Sequence, residues 1–255
     1  MDKWMLIIAT LLAAAAAVQG ANYVRRGVRS RWTMVWMLLS FLAQMSLLGM
    51  RGEMRGACPL GDTGEILIFS AWSLTMLYLM VGSVFRLSLL GVFTAPLVAF
   101  LLGVAVIPGM MDPNPEYIDH VDAWHEAHAA FSVLAYGALG LAAVAGVMFL
   151  LLNQRLKEAN MENGLFKNLP PVRELTRVVR RLLVLGFFIL TLGLVCGLVM
   201  EKPQGMGKHL IMALCQWLAY AVLLVIEWRR GMPPRMLTWA AVVLFVFSLL
   251  IFTLL

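Results

Sequence analysis

The sequence predicts an all-α polytopic membrane protein, a bundle of eight transmembrane helices with both termini on the outer side. The chain has 255 residues, of which 62% are hydrophobic and 13% are charged, whereas a soluble domain carries about 25% charged residues. Its apolar residues fall in blocks of about 20 residues, the length that a helix needs to cross a bilayer. Its basic residues are concentrated in every second loop between these blocks. This placement explains the net charge of +6 without a nucleic-acid partner.

Eight spans are predicted within a single transmembrane domain that covers residues 1–255. The first apolar block could be a signal peptide, because Lys3 precedes it. Asp2 lies in the same flank, however, and Arg25 and Arg26 follow the block as a stop-transfer signal, so we interpret it as a helix. The predicted spans are residues 5–21, 32–50, 64–84, 88–108, 126–152, 182–200, 209–227 and 236–254.

The distribution of basic residues predicts the orientation of these spans. Fifteen of the 20 Lys and Arg residues lie in the loops that follow odd-numbered spans, and basic residues concentrate in cytosolic loops. The odd-numbered loops are therefore predicted to be cytosolic. One of them, residues 153–181, contains Leu169-Pro170 and an Arg-rich helical start. Two interpretations of this segment remain open, a helix–loop–helix hairpin with a basic collar and a docking surface for a soluble partner.

All four histidines lie at the predicted outer ends of the spans, and a histidine inside a membrane is by default a functional hypothesis. His128 begins the fifth span. Trp124, His128 and Ser132 are spaced i, i+4 and i+8, so they lie on one face of this helix. Tyr136 lies close to the continuation of that face, among small residues that permit close helix approach or a flat ligand.

His209 begins the seventh span and is followed by Gln216-Trp217. Taken alone, either histidine is more simply a helix-end residue hydrogen-bonded to a loop. Taken together with Trp124 and Trp217, the two histidines describe an outer-leaflet pocket with aromatic walls. Two neutral imidazoles at one depth are a usual way for a helical bundle to hold a haem iron. A shared ligand and two independent interfacial histidines both remain open on these residues alone.

Glu65 is a carboxylate at the head of the apolar third span, where it is costly unless it is exposed or paired. In one interpretation it is a favourable charge at a helix N-terminus, with Asp62 or Thr63 as the cap. In the other it lies beside the ligand and pairs with Arg51, Arg55 or the ligand edge.

Several other kinds of site are not expected. The three cysteines form no CxxC pair, which argues against thiol–disulfide exchange. The acidic run from Asp112 to Asp122 contains Pro113 and Pro115 and no EF-hand pattern, so a solvated loop is expected more than a cation site. No nucleotide-binding glycine loop, Ser/His/Asp arrangement or HExxH motif occurs.

Five features in order, from about residue 40 to residue 228, resemble the cytochrome c assembly protein family (CcsA/CcmC-like). They are Cys58-Pro59-Leu60 with Glu65 and Trp72; Trp124, His128 and Tyr136 in the pattern W-x3-H-x7-Y; Leu156-Lys157 with Leu169-Pro170; Gly186-Phe187 through Gly193 and Gly197; and Gln216-Trp217-Leu218-Ala219-Tyr220. The stretch before the seventh span lacks the tryptophan-rich loop of the haem-handling branches. The chain is therefore more similar to the short eight-helix, HemX-like branch, in which His then Lys is expected where this chain has Lys208 then His209.

Family members handle haem at the outer face of the membrane. The resemblance implies haem b with His128 and His209 as the axial ligands of its iron, and a pocket that includes Trp124, Tyr136, Trp217 and Glu65. It also implies a multi-pass protein of the bacterial inner (plasma) membrane. Its expected partners are haem, other cytochrome c maturation proteins and membrane lipid.

The leading hypothesis is an integral membrane haem-binding protein that serves cytochrome c assembly as a chaperone-like carrier and not as an enzyme. An alternative is a membrane regulator of tetrapyrrole biosynthesis that acts through the basic segment 153–181. A weaker alternative is a b-type cytochrome subunit for electron transfer. That function normally requires a second haem near the inner face, where the sequence supplies no histidine.

Overall fold

The computed structural model describes residues 2–26, 32–85, 88–111, 122–157, 172–200 and 207–254. These residues form eight α-helices and no strand, so the all-α prediction is confirmed. Four predicted features lie outside the described residues: most of the acidic run 112–122 with His120, the Leu169-Pro170 motif, most of the loop before the seventh span, and the side chain of His209.

Each helix overlaps one predicted span. Their bounds are α1 (Asp2–Arg25), α2 (Trp32–Arg55), α3 (Thr63–Phe85), α4 (Ser88–Ala105), α5 (Ala123–Lys157), α6 (Val172–Val199), α7 (Gly207–Arg230) and α8 (Pro234–Leu254). The largest difference is that α6 begins about three turns before the apolar block. Its early part is amphipathic, and the buried residues Leu175, Val178, Val179 and Leu182 recur at the helical period, so the first turns are held by packing.

Within the described residues, six helices are long and apolar enough to cross a membrane, whereas the apolar parts of α4 and α8 are shorter. Large apolar side chains are exposed along the helices, among them Phe188 of α6, Leu218 of α7 and Val243 of α8, which are 61%, 57% and 57% exposed. Exposed apolar area on this scale marks a surface made for lipid. The prediction of a polytopic membrane protein is therefore confirmed, while the side on which the termini lie stays a prediction.

The chain divides into two compact units. The first unit contains residues 1–121 and 153–174, and its helices are α1 to α4. Here α1 packs against α2 and α4 through a seam of buried small residues, Ala9, Ala13, Ala16 and Gly20. A Cβ atom on Gly20 would lie 3.3 Å from Val92 Cγ2. Small residues at these positions let the backbones approach closely, which is how helices associate in a membrane.

The second unit contains residues 122–152 and 175–255 and is built on α5 to α8. Helix α5 is its core, because Ala135, Ala138, Ala142 and Ala145 are fully buried. As the residue number rises along α5, the number of the contacting residue falls along both α6 and α8, so both neighbours are antiparallel to α5. Helix α7 is antiparallel to α6 and therefore parallel to α5. Four of the predicted site residues, and the backbone of His209, lie in this unit.

Candidate functional site

The imidazole of His128 lies against α6. Its Nδ1 is 2.7 Å from the carbonyl oxygen of Gly193. The ring also passes directly over Gly197, where a Cβ atom would lie 2.7 Å from Nδ1 and 2.9 Å from Cε1. No real Cβ is found so close, so the position of this ring requires glycine at residue 197.

The hydrogen bond to Gly193 determines which nitrogen of His128 carries the proton. A carbonyl oxygen can only accept, so Nδ1 must donate, and the proton of the neutral ring is on Nδ1. The lone pair of the neutral imidazole is then on Nε2. Among the described residues, no hydrogen bond occupies Nε2, so this nitrogen is available to a ligand. Nδ1–H bonded to a backbone carbonyl is the usual arrangement behind a metal-bound histidine.

The contact between α5 and α6 continues inward from His128 through glycines. A Cβ atom on Gly193 would lie 3.2 Å from Ser132 Oγ, and one on Gly186 would lie 2.7 Å from Leu139 Cδ2. His128 and Ser132 therefore both lie on the face of α5 that contacts α6, in agreement with their spacing of four residues.

Tyr136 faces α7 and α8. Its hydroxyl donates to Gln216 Oε1 at 3.1 Å and lies 3.4 Å from the carbonyl oxygen of Ser248. Gln216 is 4% exposed, and its Nε2 has no partner among the described residues. Tyr220 Oη is 3.4 Å from Ser248 Oγ. These four residues form a polar cluster inside the second unit that joins α5, α7 and α8.

Trp217 faces α6. Its Nε1 donates to Thr191 Oγ1 at 2.9 Å, and its ring packs on Phe187 with centroids 5.3 Å apart. Phe187 thus packs against Trp217, a contact that the sequence alone did not predict, while the place of Trp217 in a pocket wall stays a prediction. Trp124, at the start of α5, is 48% exposed. His209 lies in the first turn of α7.

Glu65 lies in the first unit and is part of a cluster of charged side chains. Its carboxylate accepts hydrogen bonds from Arg51 Nη1 at 2.8 Å, from Arg55 Nη1 and from the backbone nitrogen of Gly61 at 2.9 Å. The backbone nitrogen of Glu65 donates to Asp62 Oδ1 at 2.7 Å, so Asp62 and not Thr63 is the N-cap of α3. The helix-end position and the arginine pairing thus occur together. A role of Glu65 beside a ligand stays a prediction.

The same cluster holds a second carboxylate, Asp62, which is 8% exposed and lies 3.0 Å from Arg51 Nη1. Burial raises the pKa of the Asp62 carboxyl above its ordinary value of 3.8, and the negative charge of Glu65 adds to this effect. The hydrogen bond from Glu65 N and the charge of Arg51 act in the opposite direction without cancelling it.

Comparison with known proteins places this chain in a family. The family described as "Cytochrome C assembly protein" matches residues 60–255, more than three quarters of the chain. The chain belongs to this family. The family assignment made from the five sequence features is thereby confirmed, and all of the predicted site residues lie within the matched range.

Individual family members share moderate identity with the chain. It is 27% identical to the cytochrome c biogenesis protein CcsA of Chlamydomonas reinhardtii over 209 residues, which are 77% of this chain and 58% of that protein. It is 29% identical to CcsA of Nostoc punctiforme over 121 residues, 46% of this chain and 34% of that protein. CcsA of Microcystis aeruginosa is 24% identical over 242 residues, 74% of each chain. The chain therefore spans less than two thirds of the length of the first two relatives.

The family features identified in the sequence include Gly193 and Gly197, but sequence reasoning did not connect these glycines to His128. Their spacing of four residues puts Gly193 and Gly197 on one helical face, and this spacing is the feature of the sequence that indicates a contact with a neighbouring helix. Gln216 follows His209 in the predicted pocket stretch and is part of a family pattern, but neither observation predicts its hydrogen bond to Tyr136, a residue 80 positions away on another helix. Such a pairing depends on the register between helices, which no single segment encodes.

Proposed function

We propose that this chain is a membrane protein of cytochrome c biogenesis that binds haem b, with His128 and His209 as axial ligands near the outer face. The observation that carries the proposal is the hydrogen bond from His128 Nδ1 to the Gly193 carbonyl, which directs the lone pair of the neutral ring to Nε2, where an iron could be bound. The proposed role is that of a haem carrier and not an enzyme. It accords with the names of the relatives, which are cytochrome c biogenesis proteins.

The residues present fit a haem on the His128 side. A metal-bound histidine coordinates through one ring nitrogen while the other donates to a carbonyl or carboxylate, and the bond from His128 Nδ1 to Gly193 is of this kind. The ring is only partly buried, so a ligand can reach it. A bound haem would supply an iron atom, which the imidazoles of His128 and His209 would hold, while the Gly193 carbonyl fixes the ring of His128.

The helix register supports a shared depth for the two histidines. Tyr136 and Gln216 are joined by a hydrogen bond, and α5 and α7 run in the same direction from it. His128 precedes Tyr136 by eight residues, about 12 Å along a helix, and His209 precedes Gln216 by seven, about 10.5 Å. The two positions thus differ in depth by about 1.5 Å. A spacing of seven residues also puts position 209 on the same face of α7 as Gln216.

Side chains further along α5 and α7 from His128 and His209 support a haem site that is limited on its inner side. The polar cluster of Tyr136, Gln216, Tyr220 and Ser248 closes the second unit about two turns further in. Trp217 is held in place by Thr191 and Phe187. We propose that these side chains form the floor and one wall of the haem site, with Trp124 at its outer rim.

The proposal also includes the orientation of the helices in the membrane, the location of the protein and its partners. The excess of basic residues in the odd-numbered loops favours an outer location for the first turns of α5 and α7. We propose the bacterial inner membrane as the location, and haem and other cytochrome c maturation proteins as the partners.

The experiment is a haem-loading spectrum of the purified protein. We expect a six-coordinate, low-spin bis-histidine spectrum when haem b is added, lost in His128→Ala and in His209→Ala. His125→Ala is the matched control, because this histidine lies one turn from His128, and its spectrum should stay as in the wild type. A wild type that fails to give the bis-histidine spectrum in excess haem contradicts the proposal, as does an unchanged spectrum in both ligand variants.

A further inference from the structure

The two glycines of α6 that touch His128 have a function beyond close helix packing. Gly193 and Gly197 are separated by four residues, and small residues at this spacing ordinarily serve helix association in membranes. Here one of them supplies a hydrogen-bond acceptor to a side chain of α5, and the other leaves open the space that this side chain occupies.

The geometry of an α-helix explains how residues 193 and 197 act together on His128. The carbonyl of residue 193 points along the helix axis toward residue 197 and is normally used within the helix. A carbonyl oxygen has a second lone pair, but a side chain at residue 197 would stand beside it. Gly197 has no side chain, and the imidazole of His128 fills that space, with Nδ1 2.7 Å from the oxygen.

We propose that Gly193 and Gly197 are positioning residues for the haem ligand His128, which fix its tautomer and increase the basicity of Nε2. The proposal rests on the proposed haem function for the identity of the ligand, but the orientation of the ring can be tested without haem. A donor hydrogen bond from Nδ1 to a carbonyl oxygen increases the electron density on the other ring nitrogen. Stronger donation to iron favours the ferric state, so the same contact lowers the reduction potential of a bound haem.

The decisive variant is Gly197→Ala. Its added methyl group would lie within 2.9 Å of two atoms of the His128 ring, so the ring must leave the Gly193 carbonyl. The substitution also replaces a poor helix former by the best one, so α6 itself is not weakened. Gly186→Ala is the matched control. It adds the same methyl group to the same helix at the same interface, 2.7 Å from the flexible Leu139 side chain and away from His128.

The first measurement uses the haem-free protein. Nitrogen-15 NMR of labelled histidine, assigned with His128→Gln, reports which ring nitrogen is protonated. We expect Nδ1–H in the wild type and in Gly186→Ala, and a shift toward Nε2–H in Gly197→Ala. A wild-type His128 that is protonated on Nε2 overturns the proposal, and this result needs no variant that folds poorly.

The second measurement is haem affinity and reduction potential. We expect Gly197→Ala to bind haem about 10–100-fold more weakly, the usual effect of losing a residue behind a metal ligand, and to have a higher potential for the haem that remains. Equal losses in Gly197→Ala and Gly186→Ala would mean that the glycines serve packing alone, and would overturn the proposal. If the wild type binds no haem although His128 carries its proton on Nδ1, the proposed function fails while the positioning of His128 is supported.

Discussion

Arg51 Nη1 lies 2.8 Å from Glu65 Oε1, and the same nitrogen lies 3.0 Å from Asp62 Oδ2. One guanidinium group of α2 thus holds two carboxylates at the start of α3. Asp62 and Glu65 are 8% and 2% exposed, so the cluster is a buried charge network and not a surface ion pair. Removing one partner of such a network leaves an uncompensated buried charge, which costs far more than losing an exposed pair.

Glu65→Gln should destabilise the first unit by about 3–5 kcal/mol, because it leaves Arg51 and Arg55 without their shared carboxylate. Thermal unfolding in detergent measures this loss. Glu53→Gln, an exposed substitution on α2, should have little effect. If Glu65→Gln leaves the melting temperature unchanged and weakens haem binding, Glu65 acts at the ligand and not in the ion-pair cluster.

Asp62 should make stability depend on pH. Its pKa in the folded protein is raised by burial, so as pH falls the folded state takes up this proton before the unfolded chain does. Its contribution to stability therefore increases as pH falls through the folded pKa, is complete below the ordinary value of 3.8, and is lost as pH rises again. The free energy of unfolding of the wild type minus that of Asp62→Asn should therefore be more positive at about pH 4 than at about pH 7. Asparagine keeps the N-cap. A difference that shrinks on acidification would contradict the raised pKa.

Arg180→Ala should destabilise the second unit by about 1–2 kcal/mol, between the values for surface and buried pairs, because the side chain of Arg180 is 55% exposed and that of Glu227 is 5% exposed. Glu227 also accepts a hydrogen bond from Met232 N at 2.7 Å and so joins α6 to the turn between α7 and α8. Chemical denaturation measures the loss, with Arg229→Ala as the exposed control. Equal effects of the two substitutions would mean that the Arg180–Glu227 pair contributes nothing. Because Arg180 is expected to stabilise the fold, a test of the alternative function as a regulator of tetrapyrrole biosynthesis should not substitute this residue.

Trp217 and Thr191 should show a coupling energy of about 1 kcal/mol, the usual net value of an intramolecular hydrogen bond. Trp217→Phe removes the indole donor and preserves an aromatic ring against Phe187, and Thr191→Val removes the acceptor at similar volume. A double-mutant cycle on unfolding free energy isolates the pair. Strictly additive effects would show that the bond does not stabilise the folded state.

The C-terminus should lie on the outer side. Alkaline phosphatase fused after Leu255 should be active, because this enzyme folds only outside the cytosol. Green fluorescent protein fused at the same place should be dark, because it folds only inside the cytosol. Fusions after Arg230, in an odd-numbered loop, should behave in the opposite way. The reverse pattern would move His128 and His209 to the cytosolic side and remove the basis for an outer haem site.

The helices could be predicted from the sequence because each is a local feature. An apolar block of about 20 residues defines a span whatever it packs against, and the observed bounds differ from the predicted ones mainly where α6 extends into an amphipathic stretch. The face of α5 that carries His128 and Ser132 also followed from helical spacing.

The partners of these faces could not be predicted in the same way. The bond from His128 to Gly193 depends on how far α6 slides along α5, and one residue of slip would bring a different carbonyl to the ring. Glu65 is described within the first unit and His128 within the second, and their assignment to one pocket by family resemblance stays a prediction.

The region that matches the family begins at residue 60, yet the carboxylates just inside it are neutralised from outside it. Arg51 and Arg55 belong to α2, and Asp2 of α1 lies 3.8 Å from Arg51. A chain shortened to the matched region would leave two acidic side chains at the edge of the bilayer without counter-charge. Helix α2 therefore supplies the positive charge that the start of α3 requires, and we expect the matched region to insert poorly into the membrane without this helix.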